Sequence, residues 1–161
     1  MSVFFIDIEA FQDDNADYLI KELCIMNVDN ILQPFHYMFD MTESMGSLSK
    51  RAQTTNEYLR LWRHHLRWID GDSNFDPSRI LNDLKSIPND ALFYVNDHVN
   101  GKKINTLNKY LPNFRIVNYN LNEPSQLNIP DNIFCPYYNH GDYCAYKKCL
   151  KLCVQYLSSC K

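Results

Sequence analysis

Three apolar runs near the start of the chain constrain the fold most. They cover residues 3–8, 18–27 and 34–39, and β-branched and aromatic residues are frequent in each. Polar turn residues separate the runs, so each is predicted to be a β-strand. Connections this short suit neighbouring antiparallel strands. The sequence therefore predicts that the domain begins with an antiparallel meander.

The second half of the chain alternates between helical and strand patterns. A helix is predicted to begin at Asp76 and Pro77, which provide an N-cap and a first helical residue. Strands are predicted at 91–96 and 114–119, and helices at 101–111 and 142–157. This alternation predicts parallel crossovers. The full order, β-β-β-α-β-α-β-α, predicts an α/β domain with a five-stranded mixed sheet, three antiparallel strands and then two parallel ones, flanked by helices. That is the element order of the ribonuclease H-like fold.

The remaining section, 41–75, is less regular. It contains the helical pattern TTNEYLRLWRHHLRW, which the sequence DGDSNFD then breaks. We interpret the section as an irregular helical insert in a single domain spanning residues 1–161.

Composition limits the classes of function. Of the 161 residues, 45% are hydrophobic and 22% are charged, as in ordinary globular proteins. No apolar run reaches the roughly 18 residues of a membrane span, and no signal peptide is evident, so we expect an intracellular protein without a membrane partner. The six cysteines are then expected to be reduced thiols or metal ligands. A net charge of −3 excludes a generally basic nucleic-acid binder, so such binding needs a local patch.

A group of carboxylates is predicted at the ends of two central strands. Asp7 and Glu9 lie two residues apart in FFIDIEAFQ and so point to the same side of a strand, and Asp97 follows the fourth predicted strand. Carboxylates that converge repel one another unless a cation such as Mg²⁺ or Mn²⁺ lies between them, and that cation can promote attack by water on a phosphate. The alternative is that Asp7 is solvated, Glu9 pairs with a lysine and Asp97 caps a turn.

Two motifs resemble the DEDDh exonuclease family. FIDIEAF resembles its first motif, a strand that ends in Asp-x-Glu, and NHGDYCAYKK resembles its last motif. The resemblance implies a metal-dependent 3′–5′ exonuclease or ribonuclease in which Asp7 and Glu9 bind metal and His140 activates water. Two of the four expected carboxylates are missing, because Lys102–Lys103 and Cys144–Ala145 stand in their places. Either Asp97 or Asp142 completes a rearranged site, or Lys103 replaces the charge of the metal and holds a phosphate without cleaving it.

The segment CPYYNHGDYC contains three candidate metal ligands, Cys135, His140 and Cys144. Thiolate and imidazole are preferred ligands of zinc, and a tetrahedral site needs a fourth. The candidates for that ligand are Glu22, Cys24 and Cys149. The alternative is that all six cysteines are buried thiols, since a free cysteine packs like a small hydrophobic residue.

This pattern also resembles the Maelstrom domain family, an exonuclease-like domain of a small-RNA pathway. That family has a Glu-Cys-His-Cys zinc set in place of the catalytic carboxylates. The resemblance implies that Glu22, Cys135, His140 and Cys144 bind a structural zinc that ties the last helix to the sheet. The spacing departs from the family, being longer from cysteine to histidine and shorter from histidine to cysteine, and Asp7 and Glu9 are retained.

Two basic segments are candidates for nucleic-acid contact. RLWRHHLRW (60–68) contributes Arg63, His64 and Arg67 beside two tryptophans, and NGKKINTLNK (100–109) contributes Lys102 and Lys103. Arginine and lysine contact phosphates, and tryptophan stacks on unpaired bases, so single-stranded RNA is the expected partner. The alternative is that the apolar residues of 60–68 belong to the core and the arginines to a solvated face.

Three functions remain open on this basis. The first is a zinc-containing, catalytically degenerate exonuclease-like domain that binds nucleic acid, with single-stranded RNA preferred. The second is an active nuclease that uses Asp7, Glu9 and His140 with Mg²⁺ or Mn²⁺. The third is a protein-interaction module on an inactive nuclease scaffold, which an exposed aromatic patch within 58–68 would mark.

Overall fold

A computed structural model describes residues 1–98, 100–120 and 133–160. Within these ranges the strands are β1 (Val3–Gln12), β2 (Tyr18–Asn27), β3 (Asn30–Asp40), β4 (Ser73–Asn74), β5 (Leu92–Val95) and β6 (Arg115–Asn118). The α-helices are α1 (Lys50–Trp62), α2 (Pro77–Asp83), α3 (Lys102–Tyr110) and α4 (Ala145–Ser159). Short 3-10 turns occupy Met45–Ser47 and Leu84–Ser86.

The strands form one mixed sheet in the order β4-β3-β2-β1-β5-β6. β1, β2 and β3 pair antiparallel, which confirms the meander, and β5 pairs parallel with both β1 and β6, which confirms the crossovers. The predicted count of five strands is wrong, because the described sheet has six. Parallel strands need a helical crossover between them, and α3 provides it for β5 and β6.

The sixth strand, β4, is only two polar residues long and pairs parallel with the end of β3 at the edge of the sheet. Two residues carry no hydrophobic periodicity, so the sequence indicates only a break in the helical pattern there. Gly71, just before β4, lies so close to β3 that a Cβ atom would overlap the backbone of Phe39 and Asp40. The absence of a side chain at Gly71 therefore allows this edge to form.

The two faces of the sheet carry separate clusters of buried side chains. Phe4, Ile6 and Ile8 of β1 belong to the cluster that includes residues of α2 and α3. Val3 and Phe5, together with Cys24 and Met26 of β2, pack against α4. Because side chains alternate along a strand, Asp7 and Glu9 share the face of Phe5, and Glu22 shares the face of Cys24. The central strands thus place all three carboxylates on the side of the sheet that α4 covers.

Sequence signals located the later helices well. Asp76 caps α2 by accepting a hydrogen bond from the backbone N–H of Ser78, and Cys149, Leu152 and Cys153 of α4 are buried. No helix among the described residues has both the length and the apolarity needed to span a membrane.

The periodic apolar residues of the middle segment behave differently from the later helices. α1 ends at Trp62, short of the predicted pattern, and buries Ala52 and Asn56. Tyr58, Leu61 and Trp62 are 60%, 49% and 72% exposed. The apolar spacing in 54–68 therefore does not mark the buried face of this helix.

Candidate metal centre and carboxylate cleft

Four predicted ligands meet in one buried group, which we call the Glu-Cys-His-Cys cluster. Glu22 comes from β2, Cys135 and His140 precede α4, and Cys144 is its N-cap residue. One ligand atom from each lies within 4.8 Å of the other three, and all four residues are buried. The described structure therefore has a group that could hold a metal ion between β2 and the start of α4.

His140 has the tautomer that a metal ligand needs. Its Nδ1 atom lies 2.8 Å from the backbone carbonyl oxygen of His64. Since a carbonyl only accepts, Nδ1 carries the proton and the neutral ring leaves a lone pair on Nε2. Nε2 is buried without a hydrogen-bond partner in the described part of the chain and lies 3.4 Å from Glu22 Oε1. A backbone carbonyl that orients a histidine in this way is common around metal ligands.

Glu22 is held in place by groups on both sides of it. Its Oε1 accepts a 2.7 Å hydrogen bond from the backbone N–H of Ala145, the first residue of α4. Its Oε2 lies 2.8 Å from His36 Nε2, 3.4 Å from Cys135 Sγ and 3.6 Å from Cys144 Sγ. Burial raises the pKa of Glu22, but His140 and His36 lower it more, so the net pKa lies well below the usual range. The carboxylate is thus charged and fixed at the positive end of a helix.

The two thiols of the cluster differ in ionisation when no metal is bound. The hydrogen bond from Cys144 lowers the pKa of Cys135, and the same bond, together with burial, raises the pKa of Cys144. Burial alone would lower the pKa of His140, yet Cys135 and Glu22 raise it to about 10. In the metal-free cluster the protonated His140 therefore lies beside the anions of Glu22 and Cys135, and a metal would replace protons there.

His36 on β3 was missed by the sequence reasoning. Besides its contact with Glu22, its ring stacks on Tyr146 of α4, with centroids 5.3 Å apart. The available signal was a histidine inside the apolar run PFHYMF, and the strand register pairs this histidine with Cys24.

The other two candidates for the fourth ligand, Cys24 and Cys149, are not members of the Glu-Cys-His-Cys cluster. Cys149 Sγ instead donates to the backbone oxygen of Cys24 at 3.4 Å.

The second site centres on an ion pair between Asp7 and Lys103. Lys103 Nζ lies 2.6 Å from Asp7 Oδ1, and the two side chains are 12% and 0% exposed. Burial lowers the pKa of Lys103, but Asp7 and Glu9 raise it more, so the ammonium remains charged. The other oxygen of Asp7, Oδ2, has no hydrogen-bond partner among the described residues. A lysine thus supplies a positive charge directly beside the first carboxylate.

Glu9 lies at the edge of a cleft of about 190 Å³ beside this ion pair. Tyr18, Arg63, Lys103 and Lys148 also line the cleft. Burial and the nearby Asp7 raise the pKa of Glu9 to about 7. The sequence analysis did not predict that Lys148 lines this cleft. The available signal was its position in AYKKCLK, next to the buried Cys149 of α4. We call this cavity the carboxylate cleft.

The other predicted acids lie outside the lining of the carboxylate cleft. Asp97 Oδ2 accepts a 3.0 Å hydrogen bond from the backbone N–H of Ile104, in the first turn of α3. Its backbone N–H is bound by Asn118 Oδ1 at 3.0 Å. These contacts resemble the alternative interpretation, in which Asp97 caps a turn, and the role of Asp97 in a metal site stays a prediction. Asp142 is exposed.

The residues predicted to contact nucleic acid do not all lie at one site. Arg63 and Lys103 line the carboxylate cleft, and Lys102 Nζ lies 4.3 Å from the ring centroid of Tyr18. Arg67 is outside the lining, paired with Asp70 at 2.8 Å.

His64 differs from the other basic candidates because its ring is buried. Nδ1 accepts from the backbone N–H of Leu66, and Nε2 lies 3.1 Å from the carbonyl oxygen of Ala10. Burial lowers its pKa to about 4, so His64 is neutral at physiological pH. The role of His64 as a nucleic-acid contact stays a prediction. A neutral ring would make that contact without an ion pair to phosphate.

Neither a protein-family model, nor a curated protein, nor a solved structure matches the chain. The assignments to the ribonuclease H-like fold and to the Maelstrom domain family therefore stay hypotheses that rest on element order and motif. What the described structure adds is a six-stranded α/β fold and a buried Glu-Cys-His-Cys cluster that could hold a metal ion.

Proposed function

We propose that this chain is a zinc-tethered, catalytically degenerate exonuclease-like domain that binds single-stranded RNA in the carboxylate cleft. The observation that carries the proposal is the 2.6 Å contact between Lys103 Nζ and Asp7 Oδ1. An ammonium at this point neutralises the carboxylate that a catalytic cation would otherwise need as a ligand. The chain keeps charge balance there without a divalent metal.

Zinc is the metal that best suits the Glu-Cys-His-Cys cluster. Zinc bonds to sulfur, nitrogen and oxygen are about 2.0–2.3 Å long, so ligand atoms of a tetrahedral site lie about 3.3–3.8 Å apart. Glu22 Oε2 lies 3.4 and 3.6 Å from the Sγ atoms of Cys135 and Cys144, and Glu22 Oε1 lies 3.4 Å from His140 Nε2. The cluster thus needs only a small shift to place one oxygen of Glu22 at tetrahedral distances from the other three ligands. Four protein ligands also leave no open position, which is typical of structural sites.

The zinc proposal also bears on catalysis. In the second hypothesis His140 activates water, but a histidine that binds zinc through Nε2 is not free to take a proton. The Nε2 atom of His140 points toward the cluster, 3.4 Å from Glu22 Oε1, and its Nδ1 is already bound to a carbonyl. The orientation of His140 thus supports a structural role over a catalytic one.

Single-stranded RNA is favoured by the charges at the carboxylate cleft. Arg63 and Lys148 line it, and Lys102 lies against Tyr18 at its edge, on a protein whose net charge is −3. Such a local positive region suits contact with a phosphate backbone. Tyr18 offers an aromatic ring at the same place, where an unpaired base can stack.

The test is binding and cleavage of a fluorescent single-stranded RNA oligonucleotide by zinc-loaded protein. We expect a rise in anisotropy at low salt, a loss of affinity of about tenfold in Arg63→Ala/Lys148→Ala, and no degradation with Mn²⁺. Lys85→Ala is the matched control, because Lys85 is exposed and does not line the cleft.

Two results would contradict the proposal. Degradation that requires Mn²⁺ and disappears in Asp7→Asn would mean that the carboxylates still form a working nuclease site. Equal RNA affinity of the double variant and the native protein would remove the cleft as the binding site. Metal analysis of the same samples is expected to give one zinc per chain, lost in Cys135→Ser.

A protein-interaction module is the second candidate, supported by the exposed side chains of α1. Tyr58, Leu61 and Trp62 lie three and four residues apart, on one side of the helix, and are half to three-quarters exposed. Contiguous exposed apolar surface of this kind often marks an interface. If this candidate holds, the native protein does not bind RNA even at low salt. The native protein then captures a protein partner, and Trp62→Ala abolishes that capture.

A further inference from the structure

A second cavity shares Tyr18 with the carboxylate cleft, and the other residues that line it have no part in the proposed function. It measures about 210 Å³. Ligand pockets for drug-sized molecules begin at about 300 Å³, so this cavity suits a smaller group. We call it the aromatic cavity.

Four aromatic side chains line the aromatic cavity: Tyr18, Trp68, Phe75 and Tyr110. All four are half-buried, so each presents part of its surface to the space. The rings of Phe75 and Tyr110 meet at 79° with centroids 4.7 Å apart, which is an edge-to-face contact. The indole N–H of Trp68 donates to the backbone oxygen of Glu43 at 2.7 Å and fixes that ring.

Three carboxylates also line the aromatic cavity: Asp13, Asp40 and Glu43. Asp40 accepts a hydrogen bond from the backbone N–H of Gly71, and Asp13 accepts from two backbone N–H groups of its own turn. The carboxylate of Glu43 makes no hydrogen bond or ion pair with any described residue. No lysine, arginine or histidine occurs in the described lining, so the three carboxylates are the charged groups of that lining.

One buried cation lies close to the cavity without lining it. The ammonium of Lys21 donates to the backbone oxygens of Phe39 and Ile69, at 2.6 and 3.0 Å, and offsets the charge of Asp40. Asp13 and Glu43 form no ion pair with a described residue, so their carboxylates can face a cationic ligand. Tyr18 and Tyr110 already hold ammonium groups of the chain itself, since Lys102 lies 4.3 Å from the Tyr18 ring and Lys109 lies 5.2 Å from the Tyr110 ring. A ligand therefore has to use the rest of these two rings together with Trp68 and Phe75.

From these contacts we propose that the aromatic cavity binds a small alkylammonium group, such as a methylated ammonium. Faces of aromatic rings attract cations, and the attraction grows when the cation leaves water. Methyl groups on nitrogen fill an apolar space and spread the positive charge, while Glu43 and Asp13 supply the opposite charge. The ligand is either a free small molecule or a modified lysine side chain of a partner protein.

The test uses Trp62→Phe protein, in which Trp68 becomes the one tryptophan, since the chain has two. Trp62 is 72% exposed and does not line the cavity, so its replacement leaves the site intact. Choline is titrated while the emission of Trp68 is recorded, with NaCl at equal ionic strength as the control. The neutral compound 3,3-dimethylbutan-1-ol has the shape of choline without its charge.

We expect choline to change Trp68 emission in a saturable way and to bind about tenfold more tightly than the neutral compound. Glu43→Gln, a change at an exposed side chain, should weaken choline several-fold and leave the neutral compound unaffected. Equal binding of the two compounds, or no saturable change with choline, would overturn the proposal. A peptide bearing trimethyl-lysine that binds more tightly than choline identifies a protein ligand, and the reverse order identifies a small molecule.

Discussion

Among individual residues, the contact between Lys103 and Asp7 has the largest predicted effect on stability. Lys103→Met would leave the fully buried Asp7 carboxylate without its partner at 2.6 Å. Breaking a buried ion pair from one side costs about 3–5 kcal/mol. We therefore expect a fall of that size in the free energy of unfolding, measured by urea denaturation.

Lys102→Met is the matched control for this prediction. The Lys102 ammonium lies 4.3 Å from the Tyr18 centroid and forms no ion pair with a described residue, so its loss should cost about 0.5–1 kcal/mol. The double variant Asp7→Asn/Lys103→Met should lose less stability than the two single changes summed, because each single change leaves one unpaired charge and the double variant leaves none. Equal losses in Lys103→Met and Lys102→Met would mean that the ion pair is not buried in solution.

The pKa of Glu9 predicts how stability depends on pH. Burial and Asp7 raise this pKa from 4.5 to about 7 in the folded protein. A folded pKa above the unfolded value means that the stabilising contribution is complete below pH 4.5 and is lost as the pH rises through 7. Ionised Glu9 then costs on the order of 3 kcal/mol.

Glu9→Gln should therefore gain stability relative to the native protein as the pH rises from 4.5 to about 7, and the gain should stay constant at higher pH. Urea midpoints across this range measure the effect. Glu57→Gln is the control, since Glu57 is exposed and Arg60 lowers its pKa. If the difference in stability between Glu9→Gln and the native protein does not change with pH through this window, Glu9 is solvated in the folded protein.

Among the elements, the sequence alone located the strands and helices that are marked by a local cap residue or by several turns of apolar periodicity. The cap at Asp76, the three N-terminal apolar runs and the buried face of α4 all follow from spacing or from a single residue type. α1 misled the periodicity argument because Tyr58, Leu61 and Trp62 have helical spacing but face solvent. Spacing shows that side chains share a face, and only tertiary packing decides whether that face is buried.

For α4, the Glu-Cys-His-Cys cluster predicts a stability that depends on metal. Glu22 of β2 binds the first N–H of the helix, and Cys144 precedes it, so a metal there joins the helix to the sheet. A ligand at about a thousand times its dissociation constant stabilises the folded state by about 4 kcal/mol. Zinc should raise the melting temperature of protein freed of metal, and chelation should lower amide protection in α4.

Cys144→Ser should remove the effect of zinc on melting temperature, and Cys160→Ser should retain it. Both changes are identical in chemistry, but Cys160 is exposed and outside the cluster. If the metal-free and zinc-loaded native proteins melt at the same temperature, the cluster is a buried polar group without a resident metal.

At the scale of the whole molecule, the two sites are neighbours on one face of the sheet. Glu9 and Glu22 are directly opposite each other across β1 and β2, and Glu9 faces the carboxylate cleft while Glu22 belongs to the cluster. The sequence identified both glutamates from motif, but it could not show the pairing. Register between strands comes from the whole sheet, so the contact of Lys103 with Asp7 and the positions of His36 and Lys148 became visible only in three dimensions.

The distribution of charge over the molecule predicts how RNA binding responds to salt. The net charge is −3, so long-range attraction is weak and binding depends on the few cations near the carboxylate cleft. Lys103 is already neutralised by Asp7, which leaves Arg63, Lys102 and Lys148 to contact phosphates. For single strands each contact contributes about −0.7 to the slope of log affinity against log salt, so a slope of about −2 is expected.

Arg63→Ala should reduce the steepness of that slope by about 0.7, and Arg67→Ala should leave it unchanged. The two arginines lie four residues apart in the same basic segment, but Arg67 is paired with Asp70 and does not line the cleft. Fluorescence anisotropy of a single-stranded RNA at several salt concentrations provides the measurement. Equal effects of the two changes would mean that RNA binds along the basic segment as a whole, because a site confined to the cleft cannot sense a charge that lies outside it and is already balanced.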